Sequence, residues 1–349
     1  MDVPGKTLAL EHAVERLGEL LGQRPNLVTY ERSVLGVDAL VQADSRSFLM
    51  AWRASSSPGK LLSAIDQLKQ AATASNGDAI PLLVVPYMGK MGRQQCEEAG
   101  VAWLDLSGNA SIQAPGLRIV VSGQPNRFKR RGRPATPFAP KSARIARWLL
   151  MHPGEHFTQQ QLARATNMDK GFTSRIIARL EQDHLVVRDE RGTVFAPDPD
   201  LLLNAWAEDY DFTKHRILRG HVPARSGEEL LQRLCDELVA KSVDHATTGL
   251  AAAWQMTRFA AFRIVTIYLR DDPAPALLES LSFREDERGA NLWLVVPRDE
   301  GVFHGTGHHD GVRCVHPVQV YLDLKAHPER AAEAADHLRA ELLRWRMDA

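Results

Sequence analysis

The sequence contains no acidic residue between Asp105 and Glu155. The basic residues of that interval are Arg118, Arg127, Lys129, Arg130, Arg131, Arg133, Lys141, Arg144 and Arg147. The whole chain carries 43 basic and 43 acidic residues, so the positive charge is concentrated locally in a protein without net charge. Because neutralising phosphates releases counterions, this segregation favours a nucleic-acid partner.

Long apolar runs and cysteines are also scarce. No stretch approaches the roughly 18 apolar residues of a membrane span, and acidic residues interrupt the N-terminus where a signal peptide would be apolar. The three cysteines, Cys96, Cys235 and Cys314, are odd in number and far apart, which is typical of reduced thiols. We therefore expect a cytoplasmic protein of about two to three domains, with no membrane contact, cofactor or bound metal.

Residues 141–200 have the pattern of three short helices followed by a β-hairpin. Ser142 is the expected N-cap of the first helix, and Pro153-Gly154 ends that helix. Thr158 and Gln161 form a capping-box pattern at the start of the second helix, because each side chain can satisfy backbone donors near the other.

The third helix follows a turn at Asn167 and a cap at Asp169. Its inward residues are spaced by four: Phe172, Ile176 and Leu180. The opposite face is small, polar and basic, as a helix in the major groove requires. Its expected DNA contacts are Lys170, Thr173, Ser174 and Arg175.

Residues 185–195 predict a hairpin with its turn at 189–192, where Arg191 would contact the DNA backbone. Three helices and a hairpin in this order predict a winged helix-turn-helix that binds double-stranded DNA. The alternative is a small helical domain with a solvated basic face, in a protein that only scaffolds other proteins.

Residues 127–140 form a basic arm ahead of this domain. The arm residues expected to contact DNA are Arg127, Lys129, Arg130, Arg131 and Arg133. The segment Arg131-Gly132-Arg133-Pro134 resembles the AT-hook, whose arginines lie in a narrow A·T-rich minor groove. A solvated interdomain linker is the alternative.

Residues 1–126 predict an α/β domain. The expected elements are a helix at about 7–22, strands at 34–41 and 47–54, a helix through 61–68, a strand at 80–86, a short helix containing Cys96, and strands at 101–106 and 117–121. This order resembles the restriction-endonuclease-like fold. The turn at Gly108-Asn109 is expected to end the strand that holds Asp105.

The resemblance implies a metal-dependent nuclease site, which this sequence carries only in part. Asp38 or Asp44 would supply the first carboxylate. The second motif falls on Ala51-Trp52-Arg53, where alanine replaces the acidic ligand and arginine replaces lysine. Since loss of a metal carboxylate removes the hydrolytic chemistry, we expect an inactive nuclease relic, with an active nuclease as the alternative.

Residues 201–225 predict a linker helix and a bridge, and residues 226–349 predict a second α/β domain. The expected elements of that domain are helices at 228–243 and from Thr247, strands at 262–269, 290–296 and within 312–321, and a terminal helix at 328–345. A metal site is conceivable from His304, His308, His309, Asp310, Cys314 and His316. Their spacing matches no structural zinc pattern, so we expect a polar loop.

Together these features predict an α/β multidomain protein with a central winged helix-turn-helix. The winged helix, the segment Thr248–Ala252 and the run Val315–Leu324 resemble the AbiEi-type antitoxins, over about residues 140–345. That resemblance implies a transcriptional regulator of a type IV toxin–antitoxin system that controls its own operon. It also implies a nucleotidyltransferase-like toxin as partner. The additional N-terminal domain leaves a stand-alone regulator open, and a homodimer on inverted repeats is open as well.

Overall fold

The computed structural model describes residues 3–29, 36–43, 46–55, 58–75, 79–128, 136–325 and 327–345. The chain divides into two compact units. The first comprises Met1–Thr136 with Arg179–Leu185, and the second comprises Pro137–Ala178 with Val186–Ala349. No helix in the described ranges is long and apolar enough to cross a membrane.

The first unit is built on a seven-stranded sheet whose strands follow one another in sequence order. The strands are β1 (Asn26–Thr29), β2 (Ala39–Ala43), β3 (Arg46–Trp52), β4 (Ala79–Val85), β5 (Ala102–Asp105), β6 (Ala110–Ala114) and β7 (Leu117–Val121). The helices are α1 (Lys6–Leu21), α2 (Pro58–Ala74) and α3 (Lys90–Ala99). β3, β4 and β5 are parallel, and the outer strands pair antiparallel. Parallel neighbours need crossover connections, and α2 and α3 supply them.

Two apolar cores lie on the two faces of this sheet. α1 contributes Leu10 and Leu17 to one core, and α2 contributes Leu61 to the other. Successive residues of β3 alternate between them, with Met50 in the first and Ala51 in the second. The unit is therefore a three-layer α/β/α arrangement.

The sequence predicted all three helices and most strands of this unit, but it missed β1 and β6. β1 has four residues, and β6 buries only Ala110 and Ile112, so neither gives a strong periodic signal. The resemblance to the restriction-endonuclease-like fold stays a prediction.

The expected three helices and hairpin are present in residues 143–195. They are α4 (Ala143–Met151), α5 (Gln159–Ala165), α6 (Lys170–Gln182), β8 (Val187–Arg188) and β9 (Val194–Phe195). Phe157 forms a bridge with Val194 beside the hairpin. The capping box of Thr158 and Gln161 is confirmed.

Two further turn predictions concern the ends of α4 and α6. Asp169 accepts a hydrogen bond from the Phe172 amide at 2.7 Å, so the predicted cap of α6 is confirmed. The predicted cap at Ser142 is wrong, because the Ser142 backbone is already helical and its side chain makes no capping bond.

The remaining chain forms a second seven-stranded sheet, in the order β13-β10-β14-β12-β11-β16-β15. Its strands are β10 (Arg216–His221), β11 (His245–Thr248), β12 (Val265–Leu269), β13 (Arg284–Glu285), β14 (Leu292–Val296), β15 (Gly307–His309) and β16 (Val312–Cys314). The helices are α7 (Pro199–Asp209), α8 (Gly227–Ala240), α9 (Gly249–Thr257), α10 (Pro275–Ser280), α11 (Pro317–Leu324) and α12 (Ala331–Leu342). Two 3₁₀ turns cover Phe212–Lys214 and Glu300–Phe303.

The expectation that residues 201–225 only link two domains is wrong for their second half. β10 lies inside the sheet, between β13 and β14. Arg219 of β10 has a structural partner within the sheet, because its guanidinium lies over the Trp293 ring of β14 at 4.8 Å. α7 is also packed, with Leu202, Leu203 and Trp206 almost fully buried.

The strand expected within 312–321 is confirmed, but it has only three residues. β16 ends at Cys314, and α11 begins at Pro317, where His316 accepts a hydrogen bond from the Val318 amide as N-cap. Periodicity alone does not distinguish a continuous apolar run in a strand from one in a buried helix. Proline at the first helical position was the available signal.

Candidate nucleic-acid interface

The outer face of α6 is an exposed basic surface of the winged helix. Lys170 and Arg175 are exposed and Ser174 is half-buried, while Ile176 and Ile177 face the core. The Arg175 guanidinium lies over the Phe172 ring at 5.8 Å, a cation–π contact that restricts its rotamers near the helix surface. The face combines small residues and cations, which suits insertion between phosphate backbones.

The prediction that Thr173 belongs to the DNA-contacting face is wrong. Its side chain is 0% exposed, and its hydroxyl donates to the Asp169 carbonyl at 2.9 Å. It lies one position before Ser174 and turns inward because the helical rotation of about 100° per residue separates neighbours. Thr173 supports the start of α6 and cannot contact DNA in this conformation.

The wing ends in a tight turn held by Asp189. The Asp189 carboxylate accepts hydrogen bonds from the Thr193 hydroxyl at 2.5 Å, the Thr193 amide at 2.8 Å and the Arg191 amide at 3.0 Å. The Thr193 hydroxyl, and then His156, hold the pKa of Asp189 well below its usual range. These donors partly neutralise the negative charge of the Asp189 carboxylate. Arg191 is exposed at the tip of the wing.

Of the basic arm, the structure describes residues 127–128 and 136–140. Lys129, Arg130, Arg131 and Arg133 lie outside the described residues. Arg127 is exposed, and its backbone amide donates to the Ser107 hydroxyl at 3.3 Å. Arg127 also lines a cleft of about 360 Å³ beside α1. The arm therefore begins from a fixed point on the first unit.

Two arginines of the acid-free interval do not face solvent. Arg144 and Arg147 are only 5% and 3% exposed, although they contribute to the charge segregation seen in the sequence. Arg144 binds Asp299 with two hydrogen bonds of 2.7 Å, from Nε and Nη2. Arg147 donates to Gln319 Oε1 and lies over the Trp206 ring at 5.0 Å. Both cations are used inside the second unit and are not available to phosphates.

Beyond Gln319 lies a buried carboxylate, Asp323. It accepts hydrogen bonds from Tyr210 at 2.5 Å, Thr248 at 2.5 Å, Gln319 at 2.7 Å and Tyr268 at 3.1 Å. The Thr248 hydroxyl thus donates to Asp323 and makes no capping bond to α9. We call these five residues the Asp323 network. Together with Arg147 it joins α4, α7, α11 and the sheet by directional bonds.

Sequence reasoning missed the Asp323 network. A signal was present, because Gln319 and Asp323 are four residues apart in an otherwise apolar run and therefore lie on one helical face. Two polar residues on a buried face must find partners, since unpaired buried polar groups are costly. The tyrosines and Thr248 carried no comparable sequence signal.

Of the two carboxylates proposed for a nuclease site, Asp38 has structural partners in the first unit. Asp38 accepts hydrogen bonds from the Trp52 amide at 2.8 Å and from Arg53 at 3.3 Å, and it pairs with Lys6. Asp44 lies outside the described residues. Asp105 is fully buried and accepts hydrogen bonds from Asn109 within the expected turn.

The histidine-rich segment at 304–316 gathers no group of three metal-ligating side chains in the described part of the chain. His308 and His309 lie on β15, and Cys314 is buried on β16. His304 is not in β15 but ends the preceding 3₁₀ turn.

Buried titratable groups make the free energy of unfolding of the second unit depend on pH. Burial lowers the pKa of His215, His316 and His327 from 6.5 to about 4. Such a histidine contributes stability that is present above about pH 6.5 and is lost as the pH falls toward 4. Burial raises the pKa of Asp323 from 3.8 to about 6, so its contribution has the opposite sign and is lost as the pH rises through about 6.

We expect the free energy of unfolding to decrease as the pH falls from 6.5 to 4, because three histidines outweigh one aspartate. His327→Gln should flatten this dependence and Asp323→Asn should steepen it, as measured by urea unfolding at several pH values. If both variants have the wild-type slope, these side chains do not titrate as described.

Comparison with known families agrees with this arrangement. Residues 138–193 match the family model described as the MarR family, which covers α4 through the turn of the wing. Residues 196–344 match the model described as transcriptional regulator, AbiEi antitoxin, type IV toxin–antitoxin system, which covers α7 through α12. No curated protein and no solved structure matches the chain significantly. The two matches therefore support a DNA-binding transcriptional regulator of the AbiEi type: the winged helix is similar to the MarR family, and the segment after it is similar to AbiEi antitoxins of type IV toxin–antitoxin systems.

Proposed function

We propose that the protein binds operator DNA in front of its own genes, with α6 in the major groove, and thereby controls their transcription. The observation that supports this proposal most directly is the exposed face of α6. On that face Lys170 and Arg175 flank small residues, and no acidic side chain lies between them. Lys170, Ser174 and Arg175 contact bases or nearby phosphates, and Arg191 of the wing contacts the backbone. The activity requires access to the genome and hence a cytoplasmic location.

The basic arm adds a second contact in this proposal. Arg131 and Arg133 enter an adjacent minor groove, where a narrow A·T-rich segment concentrates negative potential. Arg127, Lys129 and Arg130 contribute positive charge along the path to that groove. With arginine side chains in both grooves, the protein would recognise an operator that combines a major-groove site with an adjacent A·T-rich minor-groove segment.

The C-terminal domain, over residues 226–349, is proposed to act against a nucleotidyltransferase-like toxin. Its match to the AbiEi antitoxin model supports this role. Two copies of the protein on inverted repeats would place two winged helices one or more helical turns apart. We assign the domain at residues 1–126 no catalytic role, because Asp38 is held by Lys6 and Arg53.

Replacing Arg175 tests the major-groove assignment. Arg175→Ala should weaken operator binding by about 1–3 kcal/mol, because a lost base contact costs that much at one position. Fluorescence anisotropy with operator and scrambled duplexes measures both affinities. The matched control is Arg225→Ala, an exposed arginine ahead of α8 that should leave both affinities unchanged.

The outcome that contradicts the assignment is equal operator affinity for Arg175→Ala and the wild-type protein. In that case α6 does not read the operator. A loss that is the same on operator and scrambled DNA would reassign Arg175 to a phosphate contact.

Replacing Arg191 tests the wing. Arg191→Ala should weaken operator and scrambled DNA alike, because phosphate contacts carry no base information. The slope of log affinity against log salt concentration should become less steep by about 0.9. A selective loss on the operator alone, with an unchanged slope, would show that the wing does not bind the backbone as proposed.

A further inference from the structure

We propose that Arg144 and Asp299 are positioning residues for DNA recognition: their ion pair holds the turn between α5 and α6 at a fixed place on the C-terminal sheet. This inference depends on the proposed function, because it concerns how α6 is presented to an operator. Neither residue is expected to touch DNA, since Arg144 is 5% exposed.

Arg144 connects three segments that are far apart in the sequence. Its Nε and Nη2 donate to the two Asp299 oxygens at 2.7 Å each, which is the bidentate geometry of a strong arginine–carboxylate pair. Its Nη1 donates to the Thr166 carbonyl at 3.1 Å. Thr166 ends α5, directly before the turn that leads into α6. One guanidinium therefore ties the helix-turn-helix turn to the C-terminal domain.

Asp299 is itself held in place. It caps the 3₁₀ turn at Glu300–Phe303, where its Oδ1 accepts a hydrogen bond from the Gly301 amide at 2.8 Å. The segment follows β14, a central strand of the C-terminal sheet. The anchor on the C-terminal side is therefore a rigid turn next to a packed strand, and movement of the Asp299 carboxylate would disrupt that turn.

Arg147, one helical turn after Arg144, gives α4 a second directional attachment. It donates to Gln319 on α11 and lies over Trp206 on α7. Two hydrogen-bonded cations on one face of α4 add directional constraints to its apolar packing, because each bond is favourable only over a narrow range of distance and angle. The Arg144–Asp299 pair is the part of this attachment that reaches the turn before α6.

The decisive variant is Asp299→Asn, which keeps the size of the side chain and an oxygen for the 3₁₀ cap but removes the charge. We expect the ratio of operator affinity to scrambled-DNA affinity to fall about tenfold, because α6 is no longer held in one orientation. The salt slope should not change, since no phosphate contact is altered. Binding is measured with the full-length protein at a temperature where circular dichroism shows it to be folded.

Two simpler explanations give different results. A purely electrostatic effect would raise affinity for both duplexes, because a negative charge has been removed from a DNA-binding protein. A purely structural role would lower the melting temperature and leave the affinity ratio of the folded protein unchanged. Either result would overturn the proposal.

The matched control is Asp200→Asn. Asp200 also pairs with one arginine, Arg339 at 2.6 Å, and both residues lie outside the winged helix. This variant should keep the wild-type affinity ratio, and an equal loss in both variants would contradict the proposal. If Asp299→Asn does not fold, Arg144→Lys, which keeps the charge but loses the bidentate geometry, must show the reduced ratio.

Failure of this inference can be distinguished from failure of the proposed function. If the wild-type protein shows no preference for its operator, the proposed function fails and the inference fails with it. If the wild-type protein is selective and Asp299→Asn is equally selective, only the positioning role is refuted.

Discussion

The second unit depends on the burial of two arginine side chains of α4. A buried cation without partners would be strongly unfavourable, so the sequence has to provide a carboxylate or amide oxygen for each guanidinium. Asp299 does so for Arg144, and Gln319 does so for Arg147, with Asp323 behind it. These partners come from the C-terminal domain. The winged helix is therefore built to associate with this domain in one orientation.

This constraint changes how the charge of the chain should be understood. In the sequence, the acid-free interval suggests a continuous phosphate-binding surface. Arg144 and Arg147 are buried, however, and interact with residues inside the second unit. The cations that we propose contact DNA are those of α6, the wing and the arm. At the wing, the Asp189 carboxylate accepts hydrogen bonds from hydroxyl and amide donors of its own turn. This carboxylate lies near the proposed contact between Arg191 and the DNA backbone, and its role is to stabilise the turn of the hairpin.

Local signals predicted local structure well. The capping box at Thr158 and Gln161 and the cap at Asp169 follow from hydrogen bonds within three residues, and both are present. Long-range partners could not be predicted: nothing near Arg144 in the sequence identifies Asp299, and Thr173 looked exposed until its hydroxyl was seen to bond to Asp169. β10 was missed for the same reason, because its basic residues find their partners on other strands. Sequence patterns thus predicted the helix and the wing that we propose bind DNA, whereas the hydrogen bonds that attach them to the C-terminal domain could be identified only from the fold.

The most direct test of the account is binding of the wild-type protein to the DNA upstream of its own coding sequence, over a series of salt concentrations with and without Mg²⁺. The account predicts selective binding over a scrambled duplex of equal length, a steep salt dependence, and DNA that stays intact in every sample. Binding without selectivity, or no binding at low salt, would contradict recognition through α6. Cleavage that requires Mg²⁺ would contradict the structural role assigned to the first unit.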